Sequence, residues 1–186
     1  NYVLSTNELT TTATITTKTV GLEWQGYENL SYTGQPVSVI AKATGLVTGD
    51  TCTVIVEDGD KVDVGNYTAK AIGLSNPNYQ LPTTGTTKDY TIAIAAGSAS
   101  VTMESWTYGD AANSPVPVSD TNGTDKVTYH YDGRNGTAYS SDIVPTNAGD
   151  YTVTATFAAT ENHEAVTAAA AFTIEKKPIA ASWLGL

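Results

Sequence analysis

Residues 63–69, Asp-Val-Gly-Asn-Tyr-Thr-Ala, and residues 147–153, Asn-Ala-Gly-Asp-Tyr-Thr-Val, decide the fold of this chain. Both follow the pattern Asx-x-Gly-Asx-Tyr-Thr, and they lie 84 residues apart in a chain of 186. A pattern that recurs at such a spacing indicates an internal structural repeat, which has to be established before any shorter motif is interpreted.

Three further landmarks recur in the same order along the chain. They are Trp24, Trp106 and Trp183; Asn1-Tyr2, Asn78-Tyr79 and Asn162-His163; and Thr14-Ile15, Thr91-Ile92 and Thr173-Ile174. Their separations are 82 and 77, 77 and 84, and 77 and 82 residues, respectively. We therefore expect two complete modules, residues 19–95 and 96–177. Residues 1–18 are predicted to be the terminal strand of a preceding repeat or an addition to the first module, and residues 178–186 the start of a following repeat.

Within each repeat, apolar and polar residues alternate with a period of two. In residues 127–132, Val127, Tyr129 and Tyr131 share one face, and residues 151–157 alternate in the same way. Asp58-Gly59, Asn122-Gly123, Asp132-Gly133 and Asn135-Gly136 are predicted to supply the positive φ of tight turns. Because residues 165–174 align with the strand-like residues 86–95, we expect a strand there as well, although their alanines could be read as a helix. Short strands of this kind predict an all-β fold.

The repeated glycine and tyrosine make the fold prediction more specific. In immunoglobulin-like sandwiches, a tyrosine near the start of strand F folds back so that its hydroxyl bonds the upstream backbone. Tyr67 and Tyr151 fit this structural role, and Gly65 and Gly149 are expected to permit the tight corner. The prediction is two tandem immunoglobulin-like β-sandwich modules, joined by a short linker at residues 96–98.

Composition and charge restrict the classes of function. The chain has 9 basic and 19 acidic residues and a formal net charge of −10, which repels phosphate backbones and excludes nucleic acid as the expected partner. Cys52 is the only cysteine, so an intrachain disulfide is impossible. We see no apolar stretch long enough to span a membrane, and the first residues lack the pattern of a signal peptide. We therefore expect a monomeric fragment of a longer protein.

The chain resembles the extracellular immunoglobulin-like and MBG-type repeats of long bacterial surface proteins. The residues that carry the resemblance are 106–118, 144–157 and 169–179 in the second repeat, and 43–54, 64–82 and 89–95 in the first. The resemblance implies a stalk or adhesion role on the cell surface or cell wall, with attachment through regions outside this fragment. Some modules of this class are β-grasp-like, so a sheet crossed by one helix is the alternative fold.

Candidate chemistry is sparse, and we expect no catalytic residues and no cofactor. Cys52 lies on the apolar face of its strand, where an unpaired cysteine is most often a small buried hydrophobic residue. The acidic turn containing Asp58, Asp60 and Asp63 offers oxygen ligands for calcium, but without EF-hand spacing its acids are better read as solvated turn residues. We expect no metal site.

Aromatic residues provide the remaining candidates. Trp24 and Trp106 appear at corresponding positions, so a shared structural role in the core or at the module junction is expected. Tyr32, Tyr108 and Tyr139 are the candidate ligand-facing aromatics. The alternatives to a stalk are therefore a module that binds carbohydrate or a host protein, and an accessory region of a large secreted enzyme.

Overall fold

The computed structural model describes Tyr2 and residues 10–180, and every regular element in that part of the chain is a β-strand. The strands are β1 (Lys18–Thr19), β2 (Gly21–Gln25), β3 (Leu30–Ser31), β4 (Ile40–Thr44), β5 (Val54–Glu57), β6 (Gly65–Leu74), β7 (Tyr79–Gln80), β8 (Thr87–Ala93), β9 (Ser100–Thr102), β10 (Trp106–Thr107), β11 (Val116–Val118), β12 (Val127–Arg134), β13 (Ser140–Ser141), β14 (Gly149–Phe157) and β15 (Val166–Glu175). The all-β class is confirmed.

The chain divides into two compact units. The first comprises Asn1–Leu30 and Gly34–Ile92, and the second comprises Ser31–Thr33 and Ala93–Leu186. Trp183 and Asn1, two of the sequence landmarks, lie outside the described residues.

The first unit is built around a sheet with the strand order β3-β8-β6-β5. A second pair of strands, β2 and β4, contributes Ala41 and Ala43 to a core that also contains Val54 and Ala71. These buried residues alternate with exposed ones along β4 and β6, as expected for strands with one apolar and one hydrated face. β1 pairs in parallel with β7.

The second unit has a five-stranded sheet with the order β10-β15-β14-β12-β13 and a separate β9–β11 pair. In β14, Tyr151, Val153, Ala155 and Phe157 are buried, which is the face that the sequence alternation predicts. Val101 from β9 packs against Ala155 and Phe157, so the strand pair covers the apolar face of the larger sheet. Residues 165–174, where an alanine run allowed a helix, belong largely to β15.

The central strand pair has the same register in both units. Gly65 pairs with Ile92 and Tyr67 with Tyr90 between β6 and β8. In β14 and β15, Gly149 pairs with Ile174 and Tyr151 with Phe172. Because one residue of slip would move every side chain to the other face, an identical register places corresponding residues in corresponding environments.

Two sequence interpretations are wrong. Asp132-Gly133 is not a turn but lies inside β12. The predicted turn at Asn135-Gly136 is confirmed, with φ angles of 49° and 87°. Trp24 and Trp106 are not equivalent, because Trp24 pairs antiparallel with Ala41 whereas Trp106 pairs in parallel with Ile174. Their spacing arises from residues in different strands.

The β-grasp alternative requires a helix across the sheet, and residues 10–180 contain none. For the same reason, no described helix has the length and apolarity needed to cross a bilayer.

Candidate functional site

The repeated glycine-tyrosine motif forms the same bend in both units. The Tyr67 hydroxyl donates to the Asp63 carbonyl oxygen at 2.9 Å, and the Tyr151 hydroxyl donates to the Asn147 carbonyl oxygen at 2.9 Å. Each bond reaches back four residues and ties the start of a central strand to the segment that enters it. Tyr151 is the more deeply placed of the two, with 1% of its surface exposed.

Gly65 and Gly149 make room for the tyrosine rings. A Cβ built at Gly65 would lie 3.0 Å from the Tyr67 hydroxyl oxygen, and one at Gly149 would lie 3.2 Å from the Tyr151 hydroxyl and 2.8 Å from Thr137 Cγ2. Neither glycine has a positive φ. Glycine is needed at the bend because the ring packs over the backbone, and not because of an unusual backbone conformation.

A second repeated feature, missed by the sequence interpretation, lies beside each bend. Thr91 Oγ1 donates to Asn66 Oδ1 at 2.7 Å, and Thr173 Oγ1 donates to Asp150 Oδ1 at 2.8 Å. The Asn135 side-chain amide donates to the other Asp150 carboxylate oxygen. The hydrogen bond from Asn135, followed by the one from Thr173, lowers the pKa of the Asp150 carboxyl. The signal was present in the sequence, since the second Asx of the corner motif and the Thr-Ile landmark recur together.

The two tryptophans contribute to the cores of their units. The Trp24 indole packs against the first core and donates from Nε1 to the Gly85 carbonyl oxygen at 3.1 Å. Trp106 stacks on Phe172, with ring centroids 5.3 Å apart and an interplanar angle of 13°. Stacked and partly covered rings of this kind have little surface left for a sugar platform.

The three candidate ligand-facing tyrosines differ in their surroundings. Tyr139 is half-buried: its ring meets Tyr151 edge-on and its hydroxyl donates to the Ile143 carbonyl oxygen at 2.6 Å. Tyr32 meets His163 edge-on within the second unit, with centroids 5.3 Å apart. Tyr108 is 49% exposed and lines a surface groove with Asn147, Ala148 and residues 176–179. Of the three, Tyr108 presents the most surface.

The acidic turn does not assemble a calcium site. Asp58 has a positive φ and its Oδ1 pairs with Lys61 Nζ at 2.6 Å, which raises the pKa of the Lys61 ammonium. Asp60 and Asp63 are exposed. No three His, Cys, Asp or Glu side chains within the described ranges are grouped so that they could hold a metal ion.

Cys52 is partly buried and packs against the first core, two residues before the buried Val54. Its surroundings are those of a small hydrophobic residue.

The most notable polar constellation is centred on His130 in β12. His130 Nδ1 lies 2.6 Å from Asp142 Oδ1, and Nε2 lies 3.0 Å from Ser140 Oγ. This is the order of acid, base and nucleophile in hydrolase triads. However, the Asp142 side chain is 83% exposed, and an Asp132 oxygen lies 3.5 Å from the same Nε2. The carboxylates, chiefly through the Asp142 hydrogen bond, raise the pKa of His130.

The His130 cluster therefore predicts a pH-dependent ion pair between His130 in β12 and Asp142, which follows β13. The folded-state pKa of His130 is raised above 6.5, the ordinary value for histidine. The contribution of the protonated His130 to folding stability is therefore fully present below the unfolded-state pKa, and it is lost as the pH rises through the folded-state pKa. An NMR titration of His130 is expected to have its midpoint above 6.5, and Asp142→Asn is expected to lower it. A His130 titration midpoint at or below 6.5 in the unmodified chain contradicts the predicted ion pair with Asp142.

Comparison with family models, with curated proteins and with solved structures found no match to this chain.

Proposed function

We propose that this chain is a non-catalytic stalk or spacer region of an extracellular bacterial surface protein, built from tandem immunoglobulin-like modules. The proposal is supported by one set of stabilising contacts that occurs in both units. The tyrosine bend, the Asx–Thr bond and the strand register recur together at the spacing of the sequence repeat. Repetition of a structural device, without repetition of any reactive cluster among residues 10–180, favours a mechanical role.

The immunoglobulin-like assignment is supported by strand order. In such sandwiches strands C, F and G are neighbours, and the corner tyrosine lies near the start of F. The order β12-β14-β15 in the second unit and β5-β6-β8 in the first has this form, and Tyr151 and Tyr67 are each the third residue of the middle strand. The β9–β11 and β2–β4 pairs then belong to the opposing layer.

The second unit also has an arrangement suited to bearing load. β10 lies near the start of the unit and pairs in parallel with β15, which lies near its end. The Tyr108 amide continues this pairing by donating to the Glu175 carbonyl oxygen at 2.8 Å. When the ends of the unit are pulled apart, parallel neighbours are sheared, so their hydrogen bonds must break together and not one after another.

Stretching single molecules of the full chain from its two ends tests this proposal. We expect two unfolding events, each releasing about 280 Å of chain, since about 80 residues extend by about 3.5 Å each. Tyr108→Pro removes the amide donor to Glu175 and is expected to lower the unfolding force of one event only. The matched variant Tyr108→Ala retains the amide and should retain most of that force.

A single cooperative event for the whole chain, or equal forces for the proline and alanine variants, would contradict the load-bearing proposal. The non-catalytic part is supported by the open position of the His130 cluster, in which the Asp142 side chain is 83% exposed. The surface location rests on the resemblance to bacterial surface repeats and on the acidic composition, which limits association between neighbouring stalks.

A further inference from the structure

Each unit pairs a short segment at its beginning with the turn that precedes its last long strand. In the first unit, the Lys18 amide donates to the Asn78 carbonyl oxygen at 2.9 Å, and the Val20 amide donates to the Gln80 carbonyl oxygen at 3.0 Å. In the second unit, Ala95 forms a parallel bridge with His163. We call residues 18–20 and 95–97 the entering segments, and the turns starting at Asn78 and Asn162 the receiving turns.

The sequence contains a third entering segment. Lys18 follows Ile15 of the Thr-Ile landmark by three residues, Ala95 follows Ile92 by three, and Lys177 follows Ile174 by three. The register continues beyond this point, because Trp183 lies four residues after Ile179 just as Trp24 lies four residues after Val20. Residues 177–179 therefore correspond to the segments that the two units already use.

The side chain of Ile179 fits this assignment. It is 93% exposed, whereas Val20 at the corresponding position is 3% exposed and packs in the first core. A single exposed apolar residue is ordinary on a protein surface. Here, however, it occupies a position that is buried in the first unit, so burial against a further receiving turn would remove its side chain from water.

Pro178 is compatible with the same pairing. Along a parallel strand the amides that point to one neighbour belong to alternate residues. The pairing of β1 uses the amides of Lys18 and Val20, so the amide of Thr19 points away from β7. Pro178 falls at the Thr19 position, the one place in the segment where a missing N–H costs no bond to the receiving turn.

The groove beside Tyr108 extends this surface. Tyr108 corresponds to Tyr32, because the Tyr32 amide donates to the Ala93 carbonyl oxygen as the Tyr108 amide donates to that of Glu175. Residues 31–33 group with the second unit, where Tyr32 meets the ring of His163 in the receiving turn. Tyr108 has the same backbone position, and its exposed ring borders a groove of about 460 Å³.

We propose that Lys177–Ile179 and the groove beside Tyr108 form the docking surface for a following copy of this module. The segment pairs in parallel with the receiving turn of that copy, Ile179 enters its core, and Tyr108 meets the aromatic residue of the turn. The proposal rests on the proposed function, since it specifies how successive modules of the stalk are joined.

A chain extended by one copy tests the docking surface. Residue 179 is followed directly by a second copy of residues 21–97, so that Lys177, Pro178 and Ile179 replace Lys18, Thr19 and Val20. We expect hydrogen exchange at the Lys177 and Ile179 amides to slow by about 100-fold relative to the original chain. Ile179→Asp should lower the unfolding midpoint of the added copy and leave the original chain unchanged, because Ile179 is exposed there.

A second fusion distinguishes failure to dock from failure to fold. In it, the added copy begins at Lys18 and follows residue 180 through a flexible glycine-serine linker, so the copy brings its own entering segment. If this copy folds while the direct fusion does not, or if both fold and Lys177 and Ile179 still exchange at the rate of the original chain, the docking proposal is overturned. Neither result affects the stretching experiment on the original chain, so the stalk proposal would stand or fall separately.

Discussion

Replacing Tyr151 with alanine is expected to lower the free energy of unfolding of the second unit by about 3–5 kcal/mol, as for other large buried aromatic residues. The ring is 1% exposed, stacks on Phe172 with centroids 5.5 Å apart and meets Tyr139 edge-on. Since a domain is stable by only about 5–15 kcal/mol, this loss is a large fraction of its stability. Urea denaturation followed by tryptophan fluorescence and circular dichroism measures it.

Tyr151→Phe separates the hydroxyl from the ring. It keeps the packing but removes the hydrogen bond to the carbonyl oxygen of the exposed Asn147, at an expected cost of about 0.5–1.5 kcal/mol. Thr156→Ala, on the exposed face of the same strand, is the matched control and should change stability by less than about 0.5 kcal/mol. If Tyr151→Phe behaves like Thr156→Ala, the hydroxyl bond does not fasten the bend and the structural role of the corner is refuted.

Replacing Gly133 with alanine is expected to destabilise the second unit by about 3 kcal/mol, at the upper end of the usual cost of overpacking. An added Cβ would overlap the Thr137 carbonyl oxygen and lie 2.7 Å from the Thr137 carbonyl carbon and 3.0 Å from the Tyr139 nitrogen. These are backbone atoms, so no side-chain rotation relieves the contact. The shift would also disturb the bond from the Gly133 amide to the Tyr139 carbonyl oxygen, which measures 2.8 Å.

Gly73→Ala is the matched control because Gly73 also lies within a long strand. A Cβ there would lie 3.4 Å from Ile55 Cδ1, an ordinary contact with the end of a flexible side chain. We expect a change of less than about 0.5 kcal/mol, measured by the same denaturation. Equal stability of the two alanine variants would show that the hairpin after β12 adapts to a Cβ at position 133.

Much of the fold could be predicted because strand alternation and internal repetition are written directly in the residue order. The buried face of β14 follows from residues 151–157 alone, and the two bends were located from seven-residue motifs. The spacing of Trp24 and Trp106 wrongly predicted that they occupy equivalent positions. Trp24 and Trp106 recur near the repeat length, yet their strands pair differently, because a repeat constrains the environment of a position and not the residue type that fills it.

The polar contacts around His130 could not be predicted. His130, Ser140 and Asp142 meet only because the hairpin turning at Asn135 and Gly136 brings β13 beside β12. The sequence interpretation placed turns at both Asp132-Gly133 and Asn135-Gly136, and a turn at the first pair would have separated the three side chains. The sequence alone does not distinguish a glycine that a strand needs because another backbone segment lies close to it from a glycine that a turn needs.

The residue order by itself determined the all-β class, the repeat and its landmarks, since these depend on local alternation and on self-similarity along one chain. Only the tertiary structure decided which tyrosines are covered, which tryptophan lies in which strand, and which carboxylates surround His130. Those properties depend on contacts between residues distant in sequence, and such contacts follow from strand pairing and register, which no local pattern specifies.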